Sequence, residues 1–226
     1  MKPAHLEYLL PAYSFAWLDA VKAITDAHHQ SKVVMRAPPP AGKKKRSEMT
    51  MDQWYALFDA VHPSSEIIPF VDCHDIHDVP GIVNQMRAWN ASWPSTRRVR
   101  FTRWWLNGLT PWRPGHHAAI LHVVQTAARF ELPSKAVFHT GTEVGEGNCR
   151  WMWDEGVVCD HELDHSHPHL DPLFIRHGRC WINECKDKKD IPALMRQAIQ
   201  NGVTLFLATD QDSFKEPPSY WKEFTK

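Results

Sequence analysis

Between Val79 and Phe130 the chain has no aspartate, no glutamate and no lysine, yet it carries seven arginines, at 87, 97, 98, 100, 103, 113 and 129. Other absences narrow the field further. Five cysteines, an odd number with no CxxC pair, argue against a disulfide framework and for a reducing compartment. No run approaches the roughly 20 apolar residues of a membrane span. The opening MKPAHLEYLLPAYSFA lacks a basic segment followed by a long apolar run, so no secretory leader is read there. A cytoplasmic protein with no membrane partner is the expectation. "FHTGTEVGEGN" lacks the Lys-Ser/Thr ending of a phosphate loop and fits no dinucleotide fingerprint, so it reads as a turn.

What is present is unevenly placed. The acid-free arginine segment also holds Trp89, Trp93, Trp104, Trp105 and Trp112. Arginine grips phosphate through its planar fork, and tryptophan offers a flat face to an unpaired base. Arg97, Arg98, Arg100, Arg103, Trp104 and Trp105 are therefore the candidate nucleic-acid-binding residues, with an arginine-rich strand over a tryptophan core as the plainer alternative. From Glu143 to Asp190 the balance reverses, with eleven acidic residues against six basic ones and five histidines between 161 and 177. Cations beside carboxylates and imidazoles are the charge layout of metal-assisted phosphodiester chemistry. The whole chain is formally neutral, which hides this separation.

Periodicity supplies the scaffold. "SFAWLDAVKAITDAHH", with Ser14 as cap, "TMDQWYALFDAVH" and "DVPGIVNQMRAWN" read as helices. "APPPAGKKKRSE" reads as an exposed basic linker, and "SEIIPFVDCHD" as a buried strand. "RRVRFTRWWL", "KAVFHTG" and "NCRWMWDEGVVC" are further strands, and "GHHAAILHVVQTAARFEL" is a helix with Ile120, Val123, Val124 and Ala127 on one stripe. "LDPLFIRHGRCWINECKDK" reads as a hairpin turning at His177 and Gly178. "DIPALMRQAIQNG" then gives a helix and "VTLFLAT" an apolar strand. The expected class is α/β, with a helical or α-β region over 1–110 and a core over 111–226.

In the hairpin, alternation puts Glu184 and Lys186 on one face, and the turn brings Asp171 back beside Glu184. Two carboxylates suit a hard divalent ion, Mg²⁺ or Mn²⁺, and a nearby lysine can orient water or offset charge at phosphorus. This Asp, Gly-containing turn, ExK, helix and strand resembles the PD-(D/E)xK nuclease superfamily, in particular its VRR-NUC branch. Pro172 follows Asp171 here, where that family usually has proline before the aspartate. The resemblance implies a restriction-endonuclease-like core, a central mixed sheet flanked by helices, with a mainly helical N-terminal extension. It implies a Mg²⁺-dependent nuclease acting on DNA, or on RNA, with Asp171 and Glu184 as metal ligands and Lys186 as the catalytic base or charge stabiliser.

A second resemblance overlaps it. "DHSH", from Asp164 to His167, is similar to the core of endonuclease VII-type HNH nucleases, which would make His165 and His167 functional. The resemblance further implies Zn²⁺ on Cys149, Cys159, Cys180 and Cys185. The first cysteine pair is separated by nine residues, wider than zinc sites usually choose. A non-catalytic nucleic-acid binder and a nucleotide- or DNA-modifying transferase are the remaining readings.

Overall fold

In the computed structural model the described residues are 8–39, 49–72, 75, 78–95, 97, 103–107, 137–141, 157–160, 179–181, 191–201, 204–207 and 216–226. They fall into two compact units. One comprises residues 1–35, 41–67 and 162–226, the other 36–40 and 68–161.

Strands and helices alternate from the start: β1 (Tyr8–Ala12), α1 (Leu18–Ala27) after a short 3₁₀ turn, β2 (Lys32–Arg36), α2 (Met51–Ala60), β3 (Glu66–Asp72), α3 (Val79–Ser92) and β4 (Arg103–Asn107). β1 and β2 join the three helices of the N-terminal region, which is α/β in its described part. Further on come β5 (Val137–Gly141), β6 (Val157–Asp160), β7 (Arg179–Trp181), α4 (Ile191–Asn201) and β8 (Thr204–Phe206). The expected helix over 116–133 lies outside the described residues.

In the first unit the strand order is β2-β1-β8-β7, with Leu10 opposite Val33, Leu9 opposite Phe206 and Cys180 opposite Leu205. In the second the strands follow chain order, β3-β4-β5-β6. Each of these pairings is parallel. The antiparallel part of the mixed sheet expected above falls on the 170–178 arm of the hairpin, which lies outside the described residues. A helix between consecutive strands carries the chain back to start the next in the same direction, which makes neighbours parallel.

Burial follows from that arrangement. All five residues of β1 are buried, as a parallel strand covered on both faces requires. α1 presents Val21 and Ile24 inward, and α2 presents Trp54, Leu57 and Phe58. Fully burying one such side chain is worth about 1.5–3 kcal/mol. The buried Thr25 hydroxyl donates to the Val21 carbonyl at 2.8 Å and accepts from the His62 N–H at 3.0 Å, joining α1 to the loop after α2. α2 begins in a reciprocal cap: Gln53 N–H donates to the Thr50 hydroxyl at 3.0 Å, and Thr50 N–H to Gln53 Oε1 at 2.9 Å. The tail closes the same core, with Phe224 fully buried against Tyr8 and Tyr220.

Candidate functional site

The second unit ends its strands on polar or small residues. β3 stops at Asp72, β4 at Asn107, β5 at Gly141 and β6 at Asp160. Asp72 is in register with Asn107, and Gly141 with Asp160. These are carboxyl ends of parallel strands, the side on which open α/β sheets place ligands where their strand order reverses; β3-β4-β5-β6 run in chain order. Sequence patterning alone overlooked them. The available signal was an apolar strand closing on an Asp or Asn, as in EIIPFVD, RWWLN and VVCD.

Asp72 is the best defined of the four. Its backbone N–H donates to Gln85 Oε1 at 2.8 Å, and its carbonyl accepts from Gln85 Nε2 at 3.0 Å. One helical turn further along α3, Trp89 Nε1 donates to the Phe70 carbonyl at 3.4 Å. Four helical residues rise roughly 6 Å and two strand residues roughly 6.6 Å, so the two anchors keep step along β3. α3 is itself fixed at its start, where the Asp78 carboxylate accepts from Gly81 N–H at 3.0 Å. A Cβ at Gly81 would meet that carboxylate, so a larger residue there requires the Asp78 side chain to turn aside. Arg36, at the end of β2, sets its guanidinium over the Phe70 ring, 5.4 Å from the centroid.

The arginine and tryptophan candidates divide. Arg97 is half-buried, and its backbone N–H donates to the Pro94 carbonyl at 3.1 Å. Arg103 opens β4 opposite Val137, and Trp105 lies between Phe70 and His139 in the ladder. Trp104 has 0% exposure, so its ring belongs to the core and offers no open face to a base. Trp17, Trp54 and Trp89 are equally buried, which accounts for much of the tryptophan richness. Arg98 and Arg100 lie outside the described residues.

Asp171, Glu184 and Lys186 also lie outside the described residues, as do His165, His167, Cys149 and Cys185. Cys159 sits in β6 and Cys180 in β7. Among the described residues, no group of three or more His, Cys, Asp or Glu could hold a metal ion. Nor is any described helix long and apolar enough to cross a membrane.

The described histidines of the first unit lie towards the amino ends of its strands, in structural positions. His28 Nε2 is 2.8 Å from the Phe224 carbonyl and its ring meets Tyr8 edge-on at 4.7 Å. His29 and His62 stack with centroids 3.8 Å apart. The Ser64 N–H donates to His62 Nδ1 at 3.2 Å, and the Ser65 hydroxyl to the His29 carbonyl at 2.9 Å. Burial pushes the Tyr8 phenol well above its ordinary range and keeps it neutral.

No family model and no curated protein matches the chain.

Proposed function

We propose that the chain is a divalent-metal-dependent nuclease that hydrolyses phosphodiester bonds in DNA, with RNA as the alternative substrate. Asp171 and Glu184 hold Mg²⁺ or Mn²⁺, a donor set of carboxylate oxygens that suits a hard ion. The ion supplies polarisation of a phosphoryl oxygen and a more acidic water. Lys186 orients that water or offsets charge building on the phosphoryl oxygens. Arg97, Arg98, Arg100 and Arg103 hold the substrate backbone.

One observation carries this reading. β7, α4 and β8 form a crossover with parallel strands, and Glu184 and Lys186 follow the last β7 residue, Trp181, by three and five positions. The nuclease resemblance puts ExK on the strand after the Gly-containing turn, with a helix and an apolar strand following; β7, α4 and β8 supply a strand, helix and strand in that order, and residues 184 and 186 lie outside the described residues. The restriction-endonuclease-like core further requires residues 170–176 to run antiparallel to β7. Purified protein incubated with single- and double-stranded DNA and with RNA, in Mg²⁺, Mn²⁺ or EDTA, tests the activity. Metal-dependent cutting abolished by Glu184→Ala is the expected result. Cutting unchanged in that variant, or no cutting under any condition, overturns it.

A second reading draws on a different observation. The strands of the second unit are mutually parallel and end on Asp72, Asn107, Gly141 and Asp160, an edge suited to small-molecule binding. That edge is what supports the alternative of a nucleotide- or DNA-modifying transferase. A simple binder would show salt-sensitive, metal-indifferent retention of nucleic acid and no chemistry. Stoichiometric Zn²⁺, lost on substitution of Cys149, Cys159, Cys180 or Cys185, would instead point to the HNH arrangement with His165 and His167.

A further inference from the structure

Strand alternation sorts β4, β5 and β6 into two unlike faces. Trp104, fully buried, shares its face with Leu106, Phe138, Thr140, Val157 and Cys159, none of them charged. The other face takes Trp105, Asn107, His139, Gly141, Val158 and Asp160. Register aligns these residues in rows. Trp105, His139 and Val158 lie opposite one another, and two residues further along Gly141 lies opposite Asp160. Asn107 stands on the far side of Gly141, one step beyond the pairing of Leu106 with Thr140. Asp72, in register with Asn107, is exposed, so this end of the face is open to water.

Glycine has no side chain, so the face is bare at position 141. Neighbouring strands lie roughly 4.8 Å apart, and two residues of a strand span roughly 6.6 Å. The bare position is therefore one strand spacing from Asn107 on one side, one from Asp160 on the other, and two residues from His139. Those are spans that an amide, a carboxylate and an imidazole cover. Their oxygens and nitrogen make a mixed donor set, and imidazole favours a borderline ion such as Zn²⁺ over a hard one such as Mg²⁺. Three protein donors also leave a position for water, as catalytic zinc centres do. We infer that the juxtaposition of Asn107, His139 and Asp160 around Gly141 is a site for a borderline divalent ion, Zn²⁺ in the first instance. It stands apart from Asp171 and Glu184, whose carboxylates suit Mg²⁺ or Mn²⁺, and either site can fail without the other.

Calorimetric titration of Zn²⁺ into the full chain tests it, with His139→Gln, Asp160→Asn, Gly141→Val and the Asp171→Asn, Glu184→Gln double variant beside wild type. Zn²⁺ should bind the wild type, and the His139 and Asp160 variants should each weaken that binding by at least about ten-fold. The double variant should keep it, which separates this site from the proposed nuclease centre. Gly141→Val retains all three donors and fills the space between them. Valine suits a strand better than glycine, so this variant should melt no lower than wild type yet lose Zn²⁺ affinity to a similar degree. Thermal melts establish that each variant is folded, and Gly141→Ala is the smaller substitute if Gly141→Val is not. Failure of the wild type to bind Zn²⁺ overturns the inference. So does binding that folded His139 and Asp160 variants keep, that filling position 141 leaves untouched, or that depends on cysteines alone.

Discussion

Gln85 grips Asp72 by both of its backbone groups, accepting from the N–H at 2.8 Å and donating to the carbonyl at 3.0 Å. A side-chain amide here does what a neighbouring strand does elsewhere, satisfying donor and acceptor together where β3 ends. It ties α3 to the carboxyl end of β3.

Gln85→Leu therefore leaves two backbone groups without their partner. The site is exposed enough for water to replace part of the loss, so destabilisation of about 1–2 kcal/mol is expected by urea titration. Gln85→Glu should cost at least as much, because it faces a carbonyl oxygen with a carboxylate oxygen. A variant as stable as wild type would show that the clamp contributes nothing.

Trp104 and Arg97 should separate core from surface. Trp104→Ala empties a fully buried site and is expected to cost about 3–5 kcal/mol. Arg97→Ala should leave stability within about 0.5 kcal/mol and lower the slope of log affinity against log salt for nucleic acid by about one. Paired melting curves and salt titrations check both. An unchanged slope would remove Arg97 from the backbone-holding set.

Tyr8 gives the chain an alkaline liability. Its phenol is raised by burial, and its hydroxyl has no hydrogen-bond partner among the described residues. The unfolded phenol ionises near pH 10, whereas the folded one keeps its proton, so above about pH 10 the unfolded state binds fewer protons. This contribution is fully present below about pH 10 and is lost as pH rises. Tyr8→Phe should flatten the fall in stability above about pH 10 and be neutral or stabilising at neutral pH. Identical alkaline profiles would contradict this.

Thr50→Ala removes the hydroxyl half of the α2 cap and should destabilise by about 1 kcal/mol, with Thr50→Ser nearly neutral. Equal loss in both variants would show that the methyl group, and not the hydrogen bond, matters.

Much of the fold was legible in the pattern, and the failures have physical reasons. α2, α3 and α4 announce themselves by spacing and caps, and β3 and β8 by apolar runs. β1 was overlooked because YLLPA contains Pro11, and proline argues against an interior strand. Among the described residues Leu9 is the last of β1 bonded towards β8, accepting from Leu207 N–H at 2.9 Å. By alternation Pro11 is the next residue facing that way, and β8 has already stopped at Phe206. Its missing donor falls past the last described β1–β8 pair, Leu9 with Phe206. Trp104 misled for a different reason: an alternating Arg-Trp strand reads the same whether its tryptophans face solvent or core. Asp72 went unremarked because its meaning depends on strand direction and on Gln85, thirteen residues away.

The most direct measurement is calorimetric titration of Mn²⁺ into wild type, Asp171→Asn and Glu184→Gln. One ion per chain in the wild type, with binding lost or weakened at least ten-fold in each variant, is the result expected of two carboxylates sharing a single cation. Mn²⁺ binding that is absent from the wild type, or indifferent to both substitutions, would contradict the proposed metal centre.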